Sequence, residues 1–353
     1  MSKEFSQLTY KEMYAQPQSF AAINDTLPEI YKVLDAVFSE HYDELIFTGC
    51  GTSLYLAQTA AHAFASCGTI PAKAMPCSEL FFFSETFAGH GRKVLVLPIT
   101  RKSYTTEVRM AIDKIHAVEG VKTLAITCDP DSAAYNDFVI LSPDTAEESV
   151  IMTRSFTSMV YLSVVLALYA GGQKQRVEAM AAGYAEMAQQ MLKTADETAK
   201  KIIAENPNLN LFITLGQGVN YGVANECMNK MKEMGIANSE AYYSLEYRHG
   251  PMSLVDENTL VILLANRHTA AYDAKLLTQL HGYGAKTLAI GPDVAQSMAD
   301  ADYSINYTWG LDDLQYAAVI GFIGQFLGYY IAQKKNLNAD TPRHLTQAIV
   351  LGK

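Results

Sequence analysis

The feature that most constrains this chain is an internal repeat. Leu45-Ile-Phe-Thr-Gly-Cys-Gly51 aligns with Phe212-Ile-Thr-Leu-Gly-Gln-Gly218, and Val94–Leu97 aligns with Val261–Leu264 at the same offset. Lys122-Thr-Leu-Ala-Ile126 recurs letter for letter as Lys286-Thr-Leu-Ala-Ile290 at a slightly shorter offset. Three matched apolar runs in one order imply two copies of one domain in tandem. Each run is short, rich in Val, Ile, Leu and Phe, and continuous rather than alternating, the pattern of a strand buried on both faces. Helix-length segments, Leu54–Cys67, Thr105–His116 and Tyr221–Met234, lie between the runs. Strand and helix in alternation specify βαβ units with right-handed crossovers and a parallel sheet covered on both sides. The expected fold class is α/β, with two tandem doubly wound parallel-sheet sandwich domains. Ligands of such sheets bind at the carboxyl ends of the strands, where the turns Gly49-Cys-Gly-Thr-Ser53 and Gly216-Gln-Gly218 stand.

The repeat also sets the segmentation. Residues 1–40 are expected to form an amphipathic helical cap, 41–172 the first domain, 173–206 one long helical connector of good helix formers, 207–335 the second domain and 336–353 a tail. With 353 residues, 49% of them hydrophobic, the chain can bury two cores. No apolar stretch is expected to reach membrane-spanning length, and the start Met-Ser-Lys-Glu-Phe-Ser-Gln has no signal-peptide apolar region. A cytoplasmic protein without a membrane partner is the expectation. Five cysteines, at 50, 67, 77, 128 and 227, form no CxxC pair and are odd in number, so reduced thiols are expected rather than a disulfide framework or a zinc site. A net charge of −10 without a basic run argues against nucleic acid as a partner, and any anion site must be local.

Two ionisable clusters crowd one short stretch. Glu226, Lys230 and Glu233 recur at i, i+4 and i+7, which places them on one helical face. The run that follows, Glu240-Ala-Tyr-Tyr-Ser-Leu-Glu246-Tyr-Arg-His249-Gly-Pro251, is too polar and turn-rich to continue the helix, and brings an imidazole within reach of forming an acid/base pair with Glu233. For the motif in isolation, an i,i+4 salt bridge on a solvated face with a loop histidine is the plainer reading. Cys50 reads as a packed thiol rather than a nucleophile, since no histidine is tied to it by sequence. His62 and His116 sit within helical patterns, and the Tyr242-Tyr243 pair and Tyr247 read as packing residues. No spacing of His, Cys and Asp points to a metal, and no cofactor is expected.

Together, the duplicated α/β domain, the Cys50-Gly-Thr-Ser53 turn, the Glu226-x-x-x-Lys230-x-Lys-Glu233 helix, the Arg248-His249-Gly-Pro251 loop and the Pro342-Arg-x-Leu345 tail resemble the SIS (sugar isomerase) family. The likeness spans about residues 40–350 and is closest to the isomerase half of glucosamine-6-phosphate synthase and its stand-alone relatives, which include sugar-phosphate isomerases, amino-sugar-phosphate deaminases and Amadori-product deglycases. The likeness does not extend to the synthase's glutaminase domain, and glutamine-dependent amination by this chain alone is not expected. The resemblance implies that Glu233 is the base moving a proton between C1 and C2 of an open-chain sugar, and that His249 opens the sugar ring, reaching the active site of the neighbouring subunit in a homodimer. Glu226 and Lys230 match a pair lining the same pocket. Gly51, Thr52 and Ser53 match phosphate or sugar-hydroxyl contacts, with ordinary helix N-capping as the alternative. Val150 opens a turn, Val150-Ile-Met-Thr153-Arg-Ser155, that matches a sugar contact, with a plain loop before the apolar Phe156–Leu168 helix as the alternative.

Two departures from the family pattern bear on substrate. Where relatives carry a Ser-x-Ser-Gly-x-Thr phosphate loop, this chain has Thr100-Arg101-Lys102-Ser103-Tyr-Thr105. Thr100 and Thr105 keep hydroxyls, Lys102 replaces the second serine as a point charge for the anion, and Ser103 replaces a glycine, which would cost stability if positive φ were required there. Lys102 pointing to solvent, or a reshaped loop with a different ligand, are the alternatives. In the tail, Gln347 stands where synthase-like relatives have a lysine that forms an imine with the ketose, and an amide cannot do so. The resemblance therefore implies a phosphorylated sugar or amino sugar as partner. A 6-phosphorylated fructosamine cleaved to hexose phosphate and amine comes first, hexosamine 6-phosphate deamination second and aldose/ketose isomerisation third. A non-catalytic sugar-phosphate sensor belongs to a different class, and the Glu233 and His249 pair argues against it.

Overall fold

A computed structural model of the chain describes residues 6–68, 70–88 and 90–351. The first five residues of the expected cap and the last two of the expected tail lie outside the described residues. The chain divides into two compact units. One, the amino-terminal sheet unit, comprises Ala15–Glu148, Arg154–Ala185 and Thr346–Lys353, and the other, the carboxyl-terminal sheet unit, comprises Met1–Tyr14, Ser149–Thr153 and Glu186–Leu345.

The chain starts with α1 (Gln7–Tyr14), α2 (Gln16–Asp25) and α3 (Leu27–Phe38). Pro17 and Pro28 stand in the first turns of α2 and α3, where a missing N–H costs nothing. The amino-terminal sheet unit then alternates as β1 (Glu44–Gly49), α4 (Thr52–Cys67), β2 (Ala72–Pro76), α5 (Cys77–Phe87), β3 (Val94–Thr100), α6 (Thr106–His116), β4 (Val121–Thr127) and β5 (Phe138–Leu141), and continues to α7 (Arg154–Ala170). Its strands form one parallel sheet in the order β2-β1-β3-β4-β5. Every residue of β3 is buried. Its pairing with β4 lapses between Val96 and Ile99, around Pro98, which has no N–H to donate.

The expected single connector helix is two helices, α8 (Lys174–Ala181) and α9 (Tyr184–Glu205). The break falls at Gly183, whose φ of 92° ends a right-handed helix. Good helix formers on both sides hide this stop in a propensity reading. The second series is β6 (Leu211–Gly216), α10 (Asn220–Gly235), β7 (Asn238–Tyr243), β8 (Thr259–Leu264), α11 (Ala270–Gly282), β9 (Lys286–Pro292), α12 (Val294–Ser297), β10 (Tyr303–Tyr307), α13 (Asp313–Ile320) and α14 (Phe322–Lys334). Its sheet runs β10-β9-β8-β6-β7, again all parallel. Matched strand for strand, the two sheets have the same order, so the chain is a double α/β sandwich of duplicated domains.

The verbatim repeat has a structural cause. Thr123 donates its N–H and its hydroxyl to Asp137 Oδ2 at 2.8 and 3.1 Å, and Thr287 does the same to Asp302 at 2.8 and 2.9 Å. Each aspartate precedes the edge strand, β5 or β10, so one staple fixes the edge of each sheet. Contrary to the sequence expectation, the stretch Asp313–Lys334 is long and apolar enough to cross a membrane by composition. However, 94% of that window is buried inside the fold, as in the core helix of a globular domain.

Candidate active site

α10 leaves the carboxyl end of β6 and packs on α14 at unusually short range. A Cβ at Gly324 would lie 2.5 Å from Cys227 Cα, and one at Gly328 would lie 2.6 Å from the Lys230 carbonyl. Glycine on α14 therefore lets α10 sit close, and it buries the face that carries Glu226 and Lys230. The Lys230 ammonium is enclosed and lies 3.2 Å from Glu226 Oε1 and closer still to Glu233 Oε2. Burial by itself would discharge Lys230, but the two carboxylates outweigh it and hold its pKa above the usual value. Glu233 accepts a second hydrogen bond from Asn229 Nδ2 at 3.0 Å. Its side chain remains 22% exposed. A carboxylate held by a cation and an amide, and still partly exposed, can exchange a proton with a group that reaches it. The plainer reading of a salt bridge on a solvated face does not describe this buried cluster.

His249 is not part of that cluster. Beyond β7, Ser244 hydrogen-bonds Asp273 at 2.6 Å, Tyr247 is buried in the core, and Arg248 Nη1 donates to Gln279 Oε1 at 2.6 Å. These anchors leave His249 exposed. Tyr242 and Tyr247 pack together, whereas Tyr243 stacks on Tyr221 with ring centres 3.6 Å apart. Val150 belongs to the same unit, its N–H directed at the Asp340 carbonyl at 3.5 Å.

The other expected contacts lie at the carboxyl ends of β1 and β3 in the amino-terminal sheet unit. Gly51, with φ 55° and ψ −125°, precedes α4 and makes no side-chain cap, and Thr52 and Ser53 form the first turn, both nearly buried. Only glycine tolerates that backbone. In the loop after β3, Thr100 and Thr105 both direct their hydroxyls to the Lys102 carbonyl, at 2.8 and 3.1 Å. Ser103 donates its N–H and hydroxyl to Asp129 at 2.8 and 2.7 Å. It does not adopt a positive φ, so the missing glycine brings no backbone strain. Burial opposes ionisation of Asp129, but these bonds, the Asp131 N–H and the Lys102 charge prevail and lower its pKa.

Arg101 points inward rather than at the mouth of the loop. It pairs with buried Glu147 at 3.2 Å and donates to the Gln347 carbonyl at 3.0 Å. The Gln347 amide donates to the carbonyls of Glu147 and Glu148, at 3.2 and 2.8 Å. Lys102 is half-buried beside Asp129. Sequence reasoning missed Asn229, Asp129 and Glu147. Asn229 had a usable signal, its i,i+4 spacing to Glu233, whereas Asp129 and Glu147 meet their partners only through tertiary folding. No cluster of His, Cys, Asp and Glu fit for a metal occurs among the described residues.

With its fold and site described, the chain can be placed: it matches the SIS domain family over residues 40–169 and 210–307 and belongs to it. It is 26% identical over 353 residues to a glutamine–fructose-6-phosphate aminotransferase (isomerizing) of Pyrococcus horikoshii, covering 97% of this chain and 57% of that protein. The corresponding protein of Clostridium acetobutylicum is 23% identical over 363 residues, covering 97% and 58%. The chain thus spans little more than half the length of these curated relatives. Among solved structures, a glucosamine-6-phosphate deaminase of Thermotoga maritima superposes with a TM-score of 0.80 at 27% identity, covering 98% of this chain and all of that one. The tagatose-6-phosphate ketose/aldose isomerase of Escherichia coli, at TM-score 0.83, 22% identity and coverage of 98% and 96%, shares the fold.

Proposed function

We propose that this chain is a cytoplasmic phosphosugar-processing enzyme of the isomerase type, working as a homodimer, and that it cleaves a 6-phosphorylated fructosamine to hexose 6-phosphate and an amine. The observation that carries the reading is the Glu233 carboxylate, held by Lys230 and Asn229 with one side open. Glu233 takes a proton from C1 of the open-chain ketoamine and returns it at C2, which converts the ketoamine to a C1 imine; water then hydrolyses that imine to the aldose phosphate and the free amine. His249, exposed on its loop, serves ring opening in the neighbouring subunit. Lys102 and the first turn of α4 receive the phosphate. Gln347 cannot form an imine with a ketose, so a substrate that already carries nitrogen fits better than one that must acquire it.

The likeness to a glucosamine-6-phosphate deaminase over the full length of both chains favours a second reading. There the nitrogen is on C2, and the same base moves a proton from C2 to C1 before hydrolysis releases ammonia and a ketose phosphate. Incubation with fructosamine 6-phosphates, hexosamine 6-phosphates and hexose 6-phosphates, followed by mass spectrometry, separates the readings. Amine release from the first, abolished by Glu233→Gln, is the expected result. Ammonia from the second would establish the deaminase, interconversion of the third a plain isomerase, and binding without turnover of any a sensor.

A further inference from the structure

Cys50 and Cys77 leave two neighbouring parallel strands side by side. β1 and β2 are in register to their last pair, Gly49 and Pro76, so the next residue on each is a cysteine. Adjacent strands run about 4.8 Å apart, within the roughly 4.4–6.8 Å between Cα atoms that a disulfide spans. The side chains meet. Cys77 belongs to the buried cluster on one face of the sheet and Cys50 packs against that cluster, with the Cys50 thiol hydrogen-bonded to the Cys77 sulfur. The Thr48 hydroxyl, 3.4 Å away, is a second donor to Cys77 Sγ. The bond from Cys50 pulls the Cys77 pKa below its usual value, with burial opposing and Thr48 assisting. The same bond, with burial, pushes Cys50 up. Cys77 is buried, whereas Cys50 is only half-buried, so an external reagent meets Cys50 first.

We infer that Cys50 and Cys77 are a site of reversible disulfide formation, oxidised by a small-molecule disulfide. Cys50 gives its proton to water and, as the thiolate, attacks one sulfur of the external disulfide, breaking its S–S bond, forming a mixed disulfide and expelling one thiolate, which takes up a proton from water. Cys77 then gives its proton to water and attacks the Cys50 sulfur, expelling the second thiolate, which is protonated in turn. One external disulfide is reduced to two thiols as two protein thiols become one disulfide. Cys50 immediately precedes Gly51, whose left-handed backbone sets the start of α4, so a bond drawing Cys50 towards β2 reshapes the turn that holds Thr52 and Ser53. If the turn binds the sugar phosphate, as the proposed function requires, oxidation turns ligand binding down.

The test equilibrates the full chain, undenatured, with graded ratios of reduced and oxidised glutathione, quenches with acid, alkylates and maps peptides by mass spectrometry. The expected product is a cross-linked peptide pair joining residues 50 and 77, reversed by excess reduced glutathione and absent from Cys50→Ser and from Cys77→Ala. Cys50→Ser, at the less buried of the two positions, keeps the test valid if the Cys77 variant fails to fold. Stable glutathionylation of Cys50 with Cys77 still alkylatable, or no reaction at either, would overturn the inference. Calorimetry with fructose 6-phosphate then compares the two redox forms, with affinity expected to fall at least tenfold on oxidation. Equal affinity in both forms refutes the control of binding, while a reduced chain that binds no sugar phosphate counts against the proposed function and leaves the cross-link result standing.

Discussion

Lys230 and Lys102 are the two cations that the proposed function draws on, each in its own unit, and their surroundings differ. Lys230 is buried and charge-matched, so it orients Glu233. Lys102 is half-buried on a loop whose Thr100 and Thr105 hydroxyls are turned onto its own carbonyl, and the proposed function gives its ammonium the anion contact. Lys102→Ala should weaken binding of a phosphorylated sugar by about 1–3 kcal/mol and leave an unphosphorylated analogue nearly unaffected; equal small losses for both ligands in calorimetry would remove Lys102 from the site. A second residue-scale expectation concerns acid stability. Burial opposes ionisation of Asp302, but the Thr287 N–H and hydroxyl, Lys286 and His281 prevail and depress its folded-state pKa. Its contribution is therefore complete above the unfolded value of about 3.9 and is lost as pH falls through the lower folded value. Asp302→Asn should be less stable than wild type by roughly 1 kcal/mol at pH 7, and denaturant unfolding between pH 5 and 2 should show the two curves converging. A gap that stays constant with pH would mean that the carboxylate charge contributes nothing.

Among the elements, the α10–α14 pair decides where the base sits. Gly328 leaves no room for a methyl between the helices, since backbone of Lys230 and the Met234 side chain would both lie within 2.7 Å of it. Gly328→Ala should push α10 outward, costing about 1–3 kcal/mol as overpacking does, and should lower turnover at temperatures where the protein is still folded. A variant with the wild-type melting temperature and rate would show that the helices accommodate the methyl without moving Glu233. The sequence made α10 legible through its i, i+4, i+7 charges. It did not make the glycines of α14 legible, because glycine in a helix reads as a weakness until the backbone packed against it is seen.

For the whole molecule, the proposed function needs both a base, Glu233, and a ring-opening group, His249. His249 is exposed on its loop, and the proposal gives it a role in a neighbouring subunit. If so, Glu233→Gln and His249→Ala, each inactive, should complement on mixing. Random exchange gives about half heterodimers with one intact site of two, so activity should recover to roughly a quarter of wild type. No recovery after native mass spectrometry has confirmed exchange would leave His249 acting within its own chain.

The sequence by itself determined the duplicated α/β architecture, because apolar runs buried on both faces and helix-length spacers admit few other arrangements. It also placed Glu226, Lys230 and Glu233 on one face, since that relation is local and set by helical period. Tertiary structure alone decided what depends on residues distant in the chain: that Arg101 is spent on Glu147, that Ser103 is held by Asp129 without strain, and that Lys230 is enclosed rather than solvated. It also decided that Cys50 and Cys77, far apart in sequence and unremarkable in spacing, come to neighbouring strand ends. Such pairings follow from strand order and from which side chains the core excludes from water, and a one-dimensional pattern records neither.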